Sequence, residues 1–355
     1  MGNSGFWEAM HCHTFFPRPP SLDKVLVIHA DSSRMAEPIE QWLKRLDQIL
    51  EHQQFETAAE AEEWMRKQAE NRSVEEFLLE NAPPAVRLQA LWDEAEKSQD
   101  AAVASELYAR GVALAEEEFA DALEAARCDS SKWEDGPAAL YLSCLFGWAA
   151  SCEAMSDFAE AERLYSRVFA EAAGEPLGAG EKLFSLCVMD GRLEDASRWL
   201  PNECDDEAAE ITYQRALLRF LVAADEAEQA YQASGDVEAA SSWEDAQANE
   251  WLRKAIRSNP YAARLIGHPR AFDLEYPAEA AAGSPAEGVK ILFSSAHLWL
   301  SDFLALAWML GELKQSPALP EEFAAEWSVL LEKLGGEPSD EERFAFLRSL
   351  EEMDL

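Results

Sequence analysis

Five short signatures constrain what this chain can fold into. Thr57 with Glu60, Ser73 with Glu76, Asp157 with Glu160, Ser284 with Glu287 and Ser339 with Glu342 each set a small oxygen-bearing side chain three residues before an acid. At a helix start the first side chain accepts from otherwise unpaired backbone N–H groups, and the acid reaches back to the cap. The acid's charge also suits the positive helix end. Pro285, directly after Ser284, stands at a first-turn position where a missing N–H is harmless. Apolar residues recur three and four apart, as in Trp42, Leu43, Leu46, Ile49 and Leu50, and Trp64 and Met65 anchor the next segment. The expectation is an all-α chain.

The first 35 residues are written differently. Pro17, Pro19 and Pro20 interrupt any helix, and Val25-Leu26-Val27-Ile28 is a short β-branched run. The reading is a short irregular or β-containing N-terminal arm over 1–35 and a helical N-terminal cap over 36–82. A helical repeat array follows over 83–310, then C-terminal capping helices over 311–355.

The array shows self-similarity near 34 residues, the period of helix-turn-helix units. The clearest unit runs from Leu142 to Glu175, with Trp148 and Ala149 in its first helix, a turn at Ser156-Asp157-Phe158, then Ala161, Tyr165 and Val168. The next has Leu183 and Phe184, the turn Asp190-Gly191-Arg192-Leu193, then Ala196 and Leu200. A third has Tyr213, Ala216, Leu217 and Phe220, an Ala/Glu/Ser-rich insertion around Ala223 to Glu244, then Ala248, Leu252 and Ala255, stopped by Asn259-Pro260. A weaker unit from Pro84 to Ala120 carries Leu107, Tyr108 and Leu114.

These spacings resemble tetratricopeptide repeats, with Ala161/Tyr165/Val168, Gly191/Ala196/Leu200 and Ala248/Leu252/Ala255/Pro260 at that repeat's turn and second-helix positions. Over about 83–310 the chain also resembles the suppression-of-tumorigenicity-seven family and its bacterial tetratricopeptide relatives. The residues that carry this are Ala255-Ile256-Arg257-Ser258-Asn259-Pro260-Tyr261, Gly283-Ser284-Pro285-Ala286-Glu287-Gly288-Val289 with Trp299 and Ala305-Leu306, and Glu106-Leu107-Tyr108-Ala109-Arg110-Gly111-Val112. The resemblance implies an α-solenoid scaffold and brings no catalytic motif.

Charge narrows the function classes. With 68 Asp and Glu against 30 Lys and Arg, the net charge of −38 repels nucleic acid and anionic lipid. A hydrophobic content of 48% is too high for a disordered acidic tail. The six cysteines lack C-x-x-C spacing and no signal peptide is evident, so reduced thiols and a cytoplasmic location are expected. Met1-Gly2-Asn3-Ser4-Gly5-Phe6 departs from a myristoylation signal at Phe6. Ile291 to Leu310 is long enough to span a bilayer, but His297, Asp302 and three serines make it a core helix.

Candidate chemistry is sparse. His11-Cys12-His13 clusters soft ligands, but adjacent residues of an extended chain point apart and no second ligand pair is visible. His29-Ala30-Asp31-Ser32-Ser33 lacks the G-x-S-x-G elbow of a hydrolase. P-loop, G-x-G-x-x-G and H-E-x-x-H motifs are missing. Runs such as Glu116-Glu117-Glu118 read as solvated surface, and most of the tryptophans as interhelical core. The expectation is therefore no catalytic residue, no cofactor and no metal. If first helices line a groove, its face includes Phe146, Ala150 and Glu153, then Glu181, Ser185 and Met189. Phe146 and Glu181 stand where carboxylate-clamping tetratricopeptide domains carry Lys. The expected function is a protein-binding scaffold for a basic or amphipathic partner segment. The alternatives are a structural subunit of a larger assembly and an enzyme with a site near the N-terminal arm.

Overall fold

The computed structural model describes residues 82–133, 136–172, 177–201, 208–235, 245–315, 321–339 and, beyond these, 341, 342, 345, 346 and 348. The expected arm, nearly all of the cap, and the signatures at Thr57 and Ser73 lie outside the described residues. Among the described residues every regular element is helical, with no strand. They belong to two compact units, one closing at Ala179 and the other opening at Gly180.

The first unit contains α1 (Pro84–Lys97), α2 (Ala101–Glu118), α3 (Ala120–Cys128), a 3-10 turn (Ser130–Trp133), α4 (Gly136–Ala154) and α5 (Phe158–Glu171). Asp100 opens α2 by accepting from the N–H groups of Ala102 and Val103, and Asp157 opens α5 by accepting from that of Glu160. Glu160 does not reach back to its cap, because its carboxylate is held by Arg163 at 2.6 and 2.7 Å. α4 packs on α1, α2 and α5 at once, which is why its apolar residues run all round rather than along one stripe. Glycines set the closeness of α2 to α4. A Cβ added at Gly147 would lie 2.5 Å from Cζ of Tyr108, and one at Gly111 would lie 2.8 Å from Sγ of Cys144.

The turn after α4 closes with Asp157 N–H donating to Cys152 O at 2.9 Å and Ser156 N–H to Glu153 O at 3.0 Å. Thirty-five residues later the same pattern recurs, from Arg192 to Cys187 O at 2.8 Å and from Gly191 to Val188 O at 3.0 Å. This is the Schellman closure, in which one residue turns left-handed. That residue is Gly191 (φ 71) in the second turn and Ser156 (φ 62) in the first.

The second unit contains α6 (Ala179–Met189), α7 (Leu193–Ser197), α8 (Ala209–Ser234), α9 (Ala246–Ser258), α10 (Pro260–Ile266), a 3-10 turn (Ala271–Asp273), α11 (Pro285–Leu300), α12 (Phe303–Gln315) and α13 (Glu321–Leu334). Its core is aromatic. Tyr213 meets Trp299 edge-on at 6.2 Å, Trp299 stacks on Trp308 at 6.1 Å, and Phe220 stacks on Trp308 at 4.7 Å.

Three sequence readings change here. The insertion expected from Ala223 is helix as far as Ser234, where Gly235 caps α8 in the left-handed conformation. Ala223 and Ala227 are buried, and Gln229–Asp225 and Gln232–Glu228 hydrogen bonds support the exposed side. Pro260 ends α9 but also starts α10, with Asn259 as the N-cap. The apolar stretch from Ile291 to Leu310 divides into α11 and α12 around Ser301-Asp302, where Asp302 accepts from Ala305 N–H at 2.8 Å.

Replacing Ser156 by Gly should stabilise the chain by about 1 kcal/mol and replacing Gly191 by Ala should destabilise it by about the same, because only glycine is relaxed at positive φ. Gly147→Ala should cost about 1–3 kcal/mol through overpacking on Tyr108. Urea unfolding midpoints check all three.

Candidate functional site

Polar side chains inside this helical framework gather in a few places. In the first unit Tyr165 is fully buried, and its hydroxyl donates to Oε2 of Glu153 at 2.7 Å. Tyr108 makes the equivalent bond to Glu96. Both pairs join residues twelve apart across a hairpin, and fifty-seven residues separate the copies. The same offset relates Asp100 to Asp157, Ala104 to Ala161, Leu107 to Leu164 and Arg110 to Arg167. This longer repeat reads D-x3-A-x2-L-Y-x-R in the sequence and is out of step with the 34-residue period.

A third tyrosine joins a larger network. Tyr141 donates to both oxygens of Glu171 at 2.9 and 3.0 Å, and Glu171 also accepts from Arg167 at 2.6 Å and Arg127 at 2.9 Å. Arg167 reaches Glu116 on α2 as well. Burial pushes the Glu171 carboxyl up, but the hydrogen bonds from Arg167, Arg127 and Tyr141 outweigh it and hold the group below the usual range. Burial raises Tyr141. These side chains lock α2, α4 and α5 together.

In the second unit Asn259 is fully buried with every polar atom engaged. Its Oδ1 accepts from Tyr261 N–H at 3.0 Å and Ala262 N–H at 3.1 Å, and its Nδ2 donates to Ser284 O at 3.0 Å and Glu287 at 2.9 Å. Its carbonyl accepts from the Tyr213 hydroxyl at 2.9 Å. Glu287 accepts from Gly283 N–H at 2.7 Å, one residue before the cap expected at Ser284. One asparagine thus caps α10 and ties it to the start of α11. The two helices meet at Gly288, where an added Cβ would lie 2.8 Å from Cβ of Tyr261.

Glu210, in the first turn of α8, is the unusual acid. Its carboxylate accepts from Ser294 and, at 3.3 Å, from Ser295 on α11. Burial raises its pKa, the serine hydroxyls work against that, and Glu287 adds like-charge repulsion. Tyr276, which packs on Phe293 at 5.7 Å, is raised by burial and by Glu210 and Glu181.

The six residues expected to face a groove occupy different surroundings, with Ala150 half-buried. Phe146 is 7% exposed, with its ring edge on Tyr165 at 5.2 Å. Glu153 is half-buried as the acceptor for Tyr165. In the second unit Glu181 is exposed, Ser185 is buried, and Met189 packs against the core. His11, Cys12, His13, His29 and Asp31 lie outside the described residues. Burial raises the thiols of Cys144 and Cys152, which makes them poor nucleophiles. Among the described residues no group of three or more His, Cys, Asp and Glu side chains is placed to hold a metal ion. A cleft of about 380 Å³ has His268 and Arg270 in its wall. The His268 ring is engaged at both nitrogens, with Arg270 N–H and with Gly336 O at 3.2 Å each, and Arg270 pairs with Glu342 at 3.1 Å. No helix among the described residues is long and apolar enough to cross a membrane. Compared with known protein families, curated proteins and solved structures, the chain has no significant match.

Asn259→Ala should cost about 3 kcal/mol, the sum of a lost cap and stranded partners, measured by urea unfolding. Glu210 has a raised native pKa, so its contribution to stability is present below the unfolded value near pH 4 and lost as pH rises through the native value. Glu210→Gln should therefore raise Tm at pH 7 and leave it unchanged near pH 4 in thermal melts.

Proposed function

We propose that the chain is a tetratricopeptide-like helical repeat protein that binds a basic or amphipathic segment of another protein, without catalysis of its own. The observation that carries this reading is recurrence. Two helical turns, at Ser156 and Gly191, close with the same hydrogen bonds, and Ala161 and Ala196 are buried one turn beyond them. A chain built by repeating one supersecondary unit gains extended surface rather than a single deep pocket. With 68 carboxylates against 30 cations in the chain, such a surface would carry a negative field. Of the groove residues, Glu181 is exposed, and Glu153 is held in place by Tyr165. The likeness to the suppression-of-tumorigenicity-seven family belongs to the same proposal, as does a cytoplasmic location, where the buried thiols of Cys144 and Cys152 stay reduced.

Charge-driven association is screened by salt. Binding of a captured partner should fall at least about tenfold between about 50 mM and about 500 mM salt, and Glu181→Lys should weaken it about threefold at the lower salt. A salt-indifferent complex would instead favour a structural subunit. A turnover that is lost on deleting residues 1–35 would favour an enzyme.

A further inference from the structure

We propose that the second unit carries a docking surface of the opposite charge, centred on Trp251 where α8 packs on α9, and that its occupant is a short acidic segment of another protein. This surface is separate from the one that would take a basic partner, and either can exist without the other.

Residues 251–272 hold Arg253, Lys254, Arg257, Arg264 and Arg270 and no Asp or Glu, within a chain of net charge −38. Three of these cations serve the fold. Arg253 holds Glu312 of α12 at 2.7 Å, Arg264 donates to Pro260 O, and Arg270 pairs with Glu342 at 3.1 Å. Lys254 and Arg257 stand three residues apart and so are neighbours on the surface of α9. Arg257 is exposed, and among the described residues it makes no ion pair.

α8 brings a further cation to the same place. The Arg215 guanidinium lies 5.2 Å and the Lys254 ammonium 4.7 Å from the centre of the Trp251 ring, so charges from two helices converge on one indole. Arg215 Nη2 donates to Pro201 O at 2.8 Å, which holds the guanidinium in place before any ligand arrives. Trp251 is half-buried, and among the described residues its N–H has no acceptor yet is not sealed from solvent. Trp308, by contrast, donates its N–H to Asn249 at 2.7 Å. Cations in a last turn suit the negative helix end, which accounts for Arg257, but Arg215 reaches Trp251 from α8. Guanidinium, ammonium and indole N–H groups are all donors, and the two charged ones bond oxyanions most strongly. The surface is short, about 9 Å along α9 from Trp251 to Arg257. Glu250 and Asp273 bound the acid-free run. A few carboxylates fit there, whereas a continuous polyanion such as a nucleic acid strand meets the negative field of the rest of the chain.

The test uses the full chain and a fluorescein-labelled oligoglutamate peptide, read by anisotropy at low salt, with a labelled oligothymidylate of equal charge alongside. The peptide should bind in spite of the chain's own charge, and more tightly than the oligothymidylate. Lys254→Ala with Arg257→Ala should weaken the peptide at least about tenfold. Trp251→Phe keeps the ring, removes the N–H and should weaken it about threefold. Glu250→Gln removes the nearest acid on α9 and should tighten it about twofold, a gain that a misfolded variant would not give. Unchanged Tm values would show that the other variants are folded. Absence of peptide binding overturns the docking surface, as does binding that neither the Lys254/Arg257 pair nor Glu250→Gln alters. Tighter binding of the oligothymidylate overturns the acidic segment as occupant in favour of a nucleic acid.

Discussion

A tyrosine hydroxyl buried between helices must find an acceptor, because leaving it unpaired costs about 1–3 kcal/mol. This chain meets the requirement with its surplus acid. Tyr108, Tyr141, Tyr165 and Tyr261 donate to Glu96, Glu171, Glu153 and Glu326, each pair joining two helices. The bond directs where each ring lies, and the ring then sets what may stand opposite it. Tyr108 needs Gly147, and Tyr165 meets Phe146. Part of the −38 charge is therefore structural, spent as acceptors for tyrosine hydroxyls between helices.

The second unit adds an amide to the Tyr261–Glu326 bond. Asn259 donates and accepts at once, so it can cap α10 and hold the start of α11 where a carboxylate would repel Glu287. Gly288 permits the close crossing, and Tyr213 closes the set from α8. Glu210 is the exception, a half-buried acid met by two serine hydroxyls.

Helix starts were the most legible part of the sequence, because a cap needs only residues within one turn of itself. Asp157, Ser284 and Ser339 all accept from the N–H three residues on. The return arm forms in one of these three boxes, where Ser339 N–H donates to Glu342 at 2.8 Å, and is diverted in the other two, where Glu160 is held by Arg163 and Glu287 accepts from Gly283 and Asn259. The length of α8 was misread because Ala, Glu and Gln suit both a loose insertion and a good helix, and only burial of Ala223 and Ala227 separates them. Phe146 is expected on a groove face if first helices line one, yet α4 is apolar on all sides, so its pattern carries no directional information. The Asn259 and Glu210 clusters join residues far apart in sequence and had no local signal.

The fifty-seven-residue duplication and the tyrosine–glutamate bonds meet at Tyr165 and Glu153. A double-mutant cycle on Tyr165→Phe and Glu153→Gln, followed by urea unfolding, measures their coupling directly. A coupling of about 1–2 kcal/mol is expected for a buried bond to a charged acceptor. A coupling indistinguishable from zero would show that the acids do not hold these helices together.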